Sequence, residues 1–303
     1  MDRFSELKAF CLVAGSGGFS SAARQLGVAT SSVTRLVDAL EQRIGAPLLN
    51  RSTRSVTLTD SGSAYYERAI AILEELEAAD DAASARDGEV FGQLRVSAPV
   101  TFSTMYIAPL IGELARRHPR LELDLRLSDT VNNLVDESID VAIRIGTMEQ
   151  QPNLIARRLM GHERVICASA AYLEQRGIPQ VPAELTAHNC VRFAYGGASA
   201  TWRLLRDGQL EEIDIRGTLT ANNSEVLRQA LVAGVGIGLL PRWLVRDDLA
   251  SGALLPLLED YQANPGAMDI GLYAMYQENR RGSAKVKAFV DLLADSLAVQ
   301  AGA

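Results

Sequence analysis

A chain of 303 residues with 48% apolar and 22% charged side chains has room for two or three globular domains. It contains nothing close to the roughly 18 unbroken apolar residues of a membrane span, and MDRFSELKAF opens with an acid and no apolar secretory core, so no signal peptide is expected. The net charge of −7 argues against a uniformly nucleic-acid-binding surface, yet residues 1–60 hold seven basic against five acidic side chains, which puts +2 on the head and −9 on the rest.

In SSAARQLGVATSSVTRLVDALEQRIG, Ser20 to Gly45, two short helices follow each other almost without a gap. Ser20 or Ser21 is expected to cap the first, which runs through Leu26 and ends at Gly27. Val28 and Ala29 make the turn, and Thr30 and Ser31 cap a second helix to about Ile44, closed by Gly45. Val33, Leu36, Val37, Leu40 and Ile44 share one face and should be buried. Ser31, Thr34, Arg35 and Asp38 share another, with Ser32 in the same first turns. Small hydroxyls and an arginine near a helix N-terminus enter a major groove without clashing and donate to phosphates and base edges. Helix, tight turn, helix is the helix-turn-helix arrangement; the alternative is a plain helical hairpin inside an enzyme.

APLLNRSTRSVTLTDSG then reads as a short ribbon, a wing with Arg51 and Arg54 near its tip for phosphate contact and Val56 and Leu58 returning. From Thr59 or Asp60 one long helix is expected, with Tyr65, Ala69, Ile72, Leu76, Ala79 and Ala83 spaced as a heptad seam. An identical helix is the economical partner for such a seam, so the chain is expected to form a homodimer that presents two heads to a two-fold related operator on double-stranded DNA.

The FSSAARQLGV helix, the VTRLVDALEQRIGAPLL helix and turn, and RSTRSVTLTDSG leading into a long helix together resemble the N-terminal region of LysR-type transcriptional regulators. Where that family usually has Ser then Gln at the start of the recognition helix this chain has Ala29 and Thr30, and Leu49 replaces the usual Phe before the wing. The resemblance therefore carries the docking geometry and not the bases read. YIAPLIGELARRHPRLELDLRLSD and LVDESIDVAIRIG resemble the regulatory domain of the same family, with Ser138 where a Gly is usual. This implies a fold like that of periplasmic binding proteins, a dimer-of-dimers assembly, and room for RNA polymerase as a further partner.

The residues themselves support two α/β subdomains. GQLRVSAPVTF, LELDLRLSD and IDVAIRIG alternate as strands around a helix and indicate a parallel sheet. The pattern restarts near Arg164, and DIGLYAMYQ with the helix KVKAFVDLLADSL returns to complete the first sheet. The expected organisation is α/β throughout the rear: a winged helix-turn-helix over 1–60, a linker and dimerisation helix over 61–90, and an effector domain over 91–303. Its subdomains would cover about 91–162 with 266–303, and about 163–265.

Ligands of such sheets sit at the carboxyl ends of strands, near helix N-termini. Val100, Thr101, Phe102 and Ser103 follow the first strand, Ser128 follows the second, and Arg144 lies near the end of the third. In the other subdomain Phe193 and Tyr195 end a strand, while Asn222, Asn223 and Ser224 cap a helix. This set suits a small, anionic organic effector.

Other chemistry is not supported. GVGIG, Gly234 to Gly238, runs into a strand, which fits close helix–strand packing and not a dinucleotide loop. His118, His162 and His188 have no ligand spacing, and Cys11, Cys167 and Cys190 are scattered without a CxxC. No cofactor or metal is expected, the thiols fit a reducing cytoplasm, and no GxSxG or P-loop marks an enzyme. The reading is a cytoplasmic, effector-modulated, sequence-specific DNA-binding regulator with no membrane contact. Its alternatives are a small-molecule-binding α/β protein without DNA activity and an α/β enzyme with a helical appendage.

Overall fold

The structure, a computed structural model, describes residues 2–51, 56–84, 90–129, 139–148, 153–194 and 201–301; for 74, 75, 77, 78, 80–84, 279, 300 and 301 it describes the backbone alone. The chain divides into two compact units, one built on Met1–Val90 and the other on most of residues 91–303.

In the first unit α1 (Arg3–Ser16) starts at Asp2, whose carboxylate accepts the N–H groups of Phe4 and Ser5. The next two helices are α2 (Phe19–Leu26) and α3 (Thr30–Ile44), closed by the left-handed glycines Gly27 and Gly45. Their starts differ from expectation. The N-caps are Gly18 and Ala29, without a capping side chain, so Ser20, Ser21, Thr30 and Ser31 lie inside the first turns. Phe19 packs against the head core, which draws α2 back to include it, and the Thr30 carbonyl accepts the Thr34 hydroxyl as a helical residue's does. The core joins Phe10, Val13, Ala22, Val33, Val37 and Leu40. The apolar face of α3 is narrower than five positions: Leu36 is half-buried and Ile44 exposed.

The wing pairs β1 (Leu49–Arg51) with β2 (Val56–Leu58), Leu49 opposite Leu58. Helix α4 (Asp60–Ser84) is capped by Thr59, whose hydroxyl accepts the Gly62 N–H at 2.9 Å. Only glycine fits at 62, because a Cβ there would lie 1.9 Å from the Leu48 carbonyl oxygen.

The second unit has two lobes. In the first, β3 (Phe91–Ala98) leads into an unbroken helical run: α5 (Val100–Phe102), a π turn (Ser103–Ile107), a 3-10 turn (Ala108–Leu110) and α6 (Ile111–Arg117). This helical run begins right after Pro99. Pro109 has no N–H to give to the turn before it, and the change of helical pitch occurs there. The strands β4 (Arg120–Leu127), β5 (Val141–Gly146) and β6 (Leu154–Gly161) follow.

The second lobe contains β7 (Arg164–Ala168), α7 (Ala170–Arg176), β8 (Cys190–Phe193), β9 (Thr201–Arg206), β10 (Gln209–Asp214), β11 (Thr220–Ala221), α8 (Ser224–Val232), β12 (Ile237–Pro241), α9 (Arg242–Ser251), β13 (Leu255–Leu257) and β14 (Gln262–Asn264). The chain then returns with β15 (Gly271–Gln277) and α10 (Ala284–Ala301).

The first lobe's sheet has the order β4-β3-β5-β15-β6 and the second lobe's β11-β8-β12-β7-β13. The three strands expected to lie parallel do so, although neither sheet is wholly parallel. Strand β3 runs parallel to β4 and β5, but β15 re-enters antiparallel to both β5 and β6. In the second lobe β12 is parallel to β8 and antiparallel to β7. A strand that leaves for the other lobe and one that returns have opposite senses, and each sheet takes both.

A separate sheet, β10-β9-β14, was not foreseen. Its hairpin turns at Asp207 and Gly208, both at positive φ, and it contributes Trp202 and Leu204 to the second lobe's core. The GVGIG stretch joins α8 to β12 by close packing, and a Cβ on Gly238 would come within 2.5 Å of Leu231. The three cysteines are free, and burial pushes their thiols up to about 12. Among the described residues no helix is long and apolar enough to cross a membrane.

Candidate functional site

On the head, α3 carries two opposed faces. Val33, Val37 and Leu40 hold it to α1 and α2, while Thr30, Ser31, Arg35 and Asp38 are exposed and Ser32 and Thr34 half-buried. The Thr34 hydroxyl is turned back to the Thr30 carbonyl at 3.0 Å, and Arg35 reaches the Ser32 hydroxyl at 3.3 Å. Exposed groups in the first two turns are therefore Thr30, Ser31 and the Arg35 guanidinium. Ser20 is exposed and Ser21 half-buried in the first turn of α2.

The wing's Arg51 has a different place from the one its sequence position suggested. Its guanidinium pairs with Asp38 and Glu41, each at 2.7 Å, and lies 4.9 Å over the Phe19 ring. Glu41 also accepts the backbone N–H groups of Leu48 and Leu49, at 2.7 and 2.9 Å. Arg51 thus fastens the wing to α3 and α2, and Asp38 is the acceptor of that fastening. Arg24 is a cation the sequence reading passed over: it is exposed in the last turn of α2 and makes no ion pair among the described residues. The cue was available in AARQLG, where a basic residue lies one turn before the helix-turn-helix glycine. Arg54, Tyr195 and Ser138 lie outside the described residues, as does the side chain of Ala83.

The six-residue seam of α4 splits in two. Tyr65 packs edge-on to Phe10 with 5.8 Å between ring centroids, and Ala69 is buried in the head core. These two positions serve the protomer itself, because α4 begins against α1 and its first turns must close that core. Farther along, Ile72 is 53% and Leu76 37% exposed, with Ala79 exposed beyond them.

In the second unit, residues from both lobes meet at the carboxyl ends of β3 and β4. Asp129, two residues past β4, accepts the Val100 N–H at 3.0 Å through one oxygen and the Asn223 side-chain amide at 2.7 Å through the other. Asn223 also reaches the buried Thr101 hydroxyl at 3.4 Å. Its own side-chain oxygen caps α8 by accepting the N–H groups of Glu225 and Val226, and Ser224 is the first helical residue, half-buried. Asn222 is exposed. Asp129 was missed: the SD after LELDLRL reads as a turn, and its partner Asn223 is 94 residues away.

The remaining expected residues are more structural. Ser103 is buried and donates to the Pro99 carbonyl at 2.8 Å. Ser128 donates its N–H to Ala98, bringing β4 alongside the end of β3. Arg144 folds inward to the Ser97 hydroxyl at 3.0 Å and to the carbonyls of Ser97 and Ile143. Phe193 packs on the second lobe's core with Leu227 and Leu231. Phe102 is fully buried, stacked on Tyr106 with centroids 5.0 Å apart, and both meet the Trp243 indole edge-on.

Trp243, on α9, ties this aromatic group to the crossing between the lobes. Its indole N–H donates to His162 Nδ1 at 3.3 Å, and the His162 backbone N–H donates to Ile270, joining the outgoing and returning crossings. Burial, with Arg164 nearby, pushes the His162 imidazole down to about 3, so it is neutral at physiological pH.

A winged helix-turn-helix head followed by two α/β lobes that meet at their strand ends defines a ligand-responsive DNA-binding regulator. The comparisons give its family. Residues 4–63 match the bacterial regulatory helix-turn-helix protein, lysR family, and residues 87–298 match the LysR substrate binding domain. Over 298 residues the chain is 34% identical to the probable HTH-type transcriptional regulator LtrA of Klebsiella pneumoniae, covering 98% of this chain and 96% of that protein. It is 35% identical over 292 residues to the HTH-type transcriptional regulator CrgA of Neisseria meningitidis, covering 96% of each. The solved CrgA structure superposes with a TM-score of 0.62 at 34% identity, over 96% of this chain and 98% of that one. The full-length virulence activator AphB of Vibrio cholerae gives 0.62 at 27% identity, over 96% and 98%.

The chain belongs to the LysR family of transcriptional regulators. It is a DNA-binding regulator with an effector-binding domain, of a family whose members form oligomers and are regulators, not enzymes. The match over residues 4–63 removes the alternative of a ligand-binding protein without DNA activity.

Proposed function

We propose that the effector is a small organic anion bound where the two lobes meet, and that it acts by changing how paired heads engage a two-fold related operator. The observation that carries this reading is the Asp129 carboxylate, held by the Val100 N–H of one lobe and the Asn223 amide of the other. Donors from both lobes converge on a carboxylate there, and only a ligand that touches both sides biases their relative orientation.

The DNA-reading group is Thr30, Ser31 and Arg35, with Arg24 as a phosphate contact. The effector group is Thr101, Asn223 and Ser224 around the Val100 N–H. The functional division is head 1–60, linker helix 61–90 and effector domain 91–303, with Ile72, Leu76 and Ala79 as the dimer contacts of the linker. Assembly as a dimer of dimers, contact with RNA polymerase and a cytoplasmic location complete the reading, supported by the family's oligomeric, DNA-bound role.

The test is a gel-shift titration of operator binding against a panel of organic acids, with wild type, Thr101→Val and Ser224→Ala side by side. Each lost hydrogen bond is worth about 0.5–1.5 kcal/mol, and more to a charged acceptor. The midpoint should rise from a few-fold to about tenfold in each variant while binding without effector is kept. Unchanged midpoints in both variants would move the site elsewhere.

A further inference from the structure

Asn223 is oriented by its own helix. Its side-chain oxygen accepts the N–H groups of Glu225 and Val226, at 3.1 and 3.2 Å, which leaves its NH₂ facing away from α8 and in need of an acceptor. That acceptor is Asp129 at 2.7 Å. The second Asp129 oxygen takes the Val100 N–H at 3.0 Å, one of the donors that a helical run leaves without a partner at its start. One carboxylate therefore occupies a donor from each lobe.

Building on the effector reading above, we propose that Asp129 is a built-in occupant of the carboxylate position. It joins the lobes when no effector is bound, and an acidic effector binds by displacing it. Two carboxylates do not share these donors, because like charges within about 4–6 Å disfavour one another's charged form. The occupant is tethered, so its effective concentration at the site is far above that of a free competitor. A simple carboxylate should fail to displace it, and only an acid with further contacts to both lobes should succeed. Asp129 thereby sets both the threshold concentration and the selectivity for larger acids.

The experiment removes the occupant and supplies a free one. In full-length Asp129→Ala both donors face a gap of carboxylate size. Hydrogen exchange is followed in the peptides Val100–Ile107 and Ser224–Val232 with sodium acetate or sodium formate, against sodium chloride at equal ionic strength. The variant should exchange several-fold faster than wild type in both peptides. Acetate or formate should restore protection saturably in the variant and leave wild type unchanged. Acetate acting alike on both proteins, or on neither, overturns the proposal.

If Asp129→Ala does not fold, Asp129→Asn decides. Its single oxygen can serve only one of the two donors and its NH₂ then faces the other, so either the Val100–Ile107 or the Ser224–Val232 peptide should exchange several-fold faster. Wild-type exchange in both peptides overturns the proposal. Failure of the effector reading leaves a separate mark: operator binding by wild type ignores every organic acid while acetate still protects Asp129→Ala.

Discussion

Two arginines on the head have the same charge and opposite duties. Arg35 is exposed on α3 and reaches the Ser32 hydroxyl, whereas Arg51 is engaged by Asp38, Glu41 and the Phe19 ring. Arg35→Ala should therefore weaken operator binding by about 1–3 kcal/mol, if its contact is bidentate to a base, and leave the melting temperature unchanged. Arg51→Ala should lower stability by about 1 kcal/mol, since pairs this exposed contribute roughly 0.2–1 kcal/mol each. Fluorescence anisotropy on DNA and thermal unfolding of both variants separate the two roles; a stability loss in Arg35→Ala with intact binding would reverse the assignment.

His162 gives a second prediction at this scale. Its folded pKa is about 3 and the unfolded value near 6.5, so the native state binds fewer protons in between. The stability it contributes is complete above pH 6.5 and is lost as pH falls through that window, at about 1.4 kcal/mol per pH unit. Urea unfolding at pH 7 and pH 5.5 should show a loss about 1 kcal/mol larger in wild type than in His162→Gln, which keeps an acceptor for Trp243. Equal losses would mean that His162 is protonated in the folded chain.

Among the elements, α4 depends most on what the sequence leaves open. Heptad spacing shows that a helix has an apolar stripe but not which surface covers it. Tyr65 and Ala69 are covered by the head's own core, and Ile72 and Leu76 remain exposed. Replacing Ile72 and Leu76 together by Asp should leave the head folded and dissociate the dimer, because unpaired charge is costly to bury. Sedimentation of the double variant checks this; an intact dimer that still binds DNA would place the contact on another face.

The same contrast explains what was legible elsewhere. Gly27, Gly45 and Thr59 mark helix ends through local backbone geometry, so their positions were readable. Asp207–Gly208 was equally local, an Asp-Gly hairpin signal that the sequence reading overlooked. Asp129 was not readable, since its meaning depends on Asn223 across the lobe boundary. Arg51 was not either, because strand alternation does not reveal that two acids on α3 await it. Antiparallel re-entry of β15 follows from the double crossing between lobes, which strand patterns alone do not orient.

For the whole molecule, the negative charge that argues against nucleic-acid binding is confined to the rear: +2 on residues 1–60 against −9 on the remainder. On the reading proposed above, one slightly basic head should bind DNA weakly, and two heads on one operator should gain from effective concentration what each lacks in charge. On that reading, regulation depends on the paired, sequence-specific contact. The most direct measurement is selection of genomic fragments by the purified full-length protein in excess nonspecific DNA, followed by footprinting of the retained fragments. The expected result is a small set of fragments with inverted half-sites spaced by whole helical turns, retained by wild type and lost by Arg35→Ala. Retention in proportion to fragment length, identical for wild type and Arg35→Ala, would contradict it.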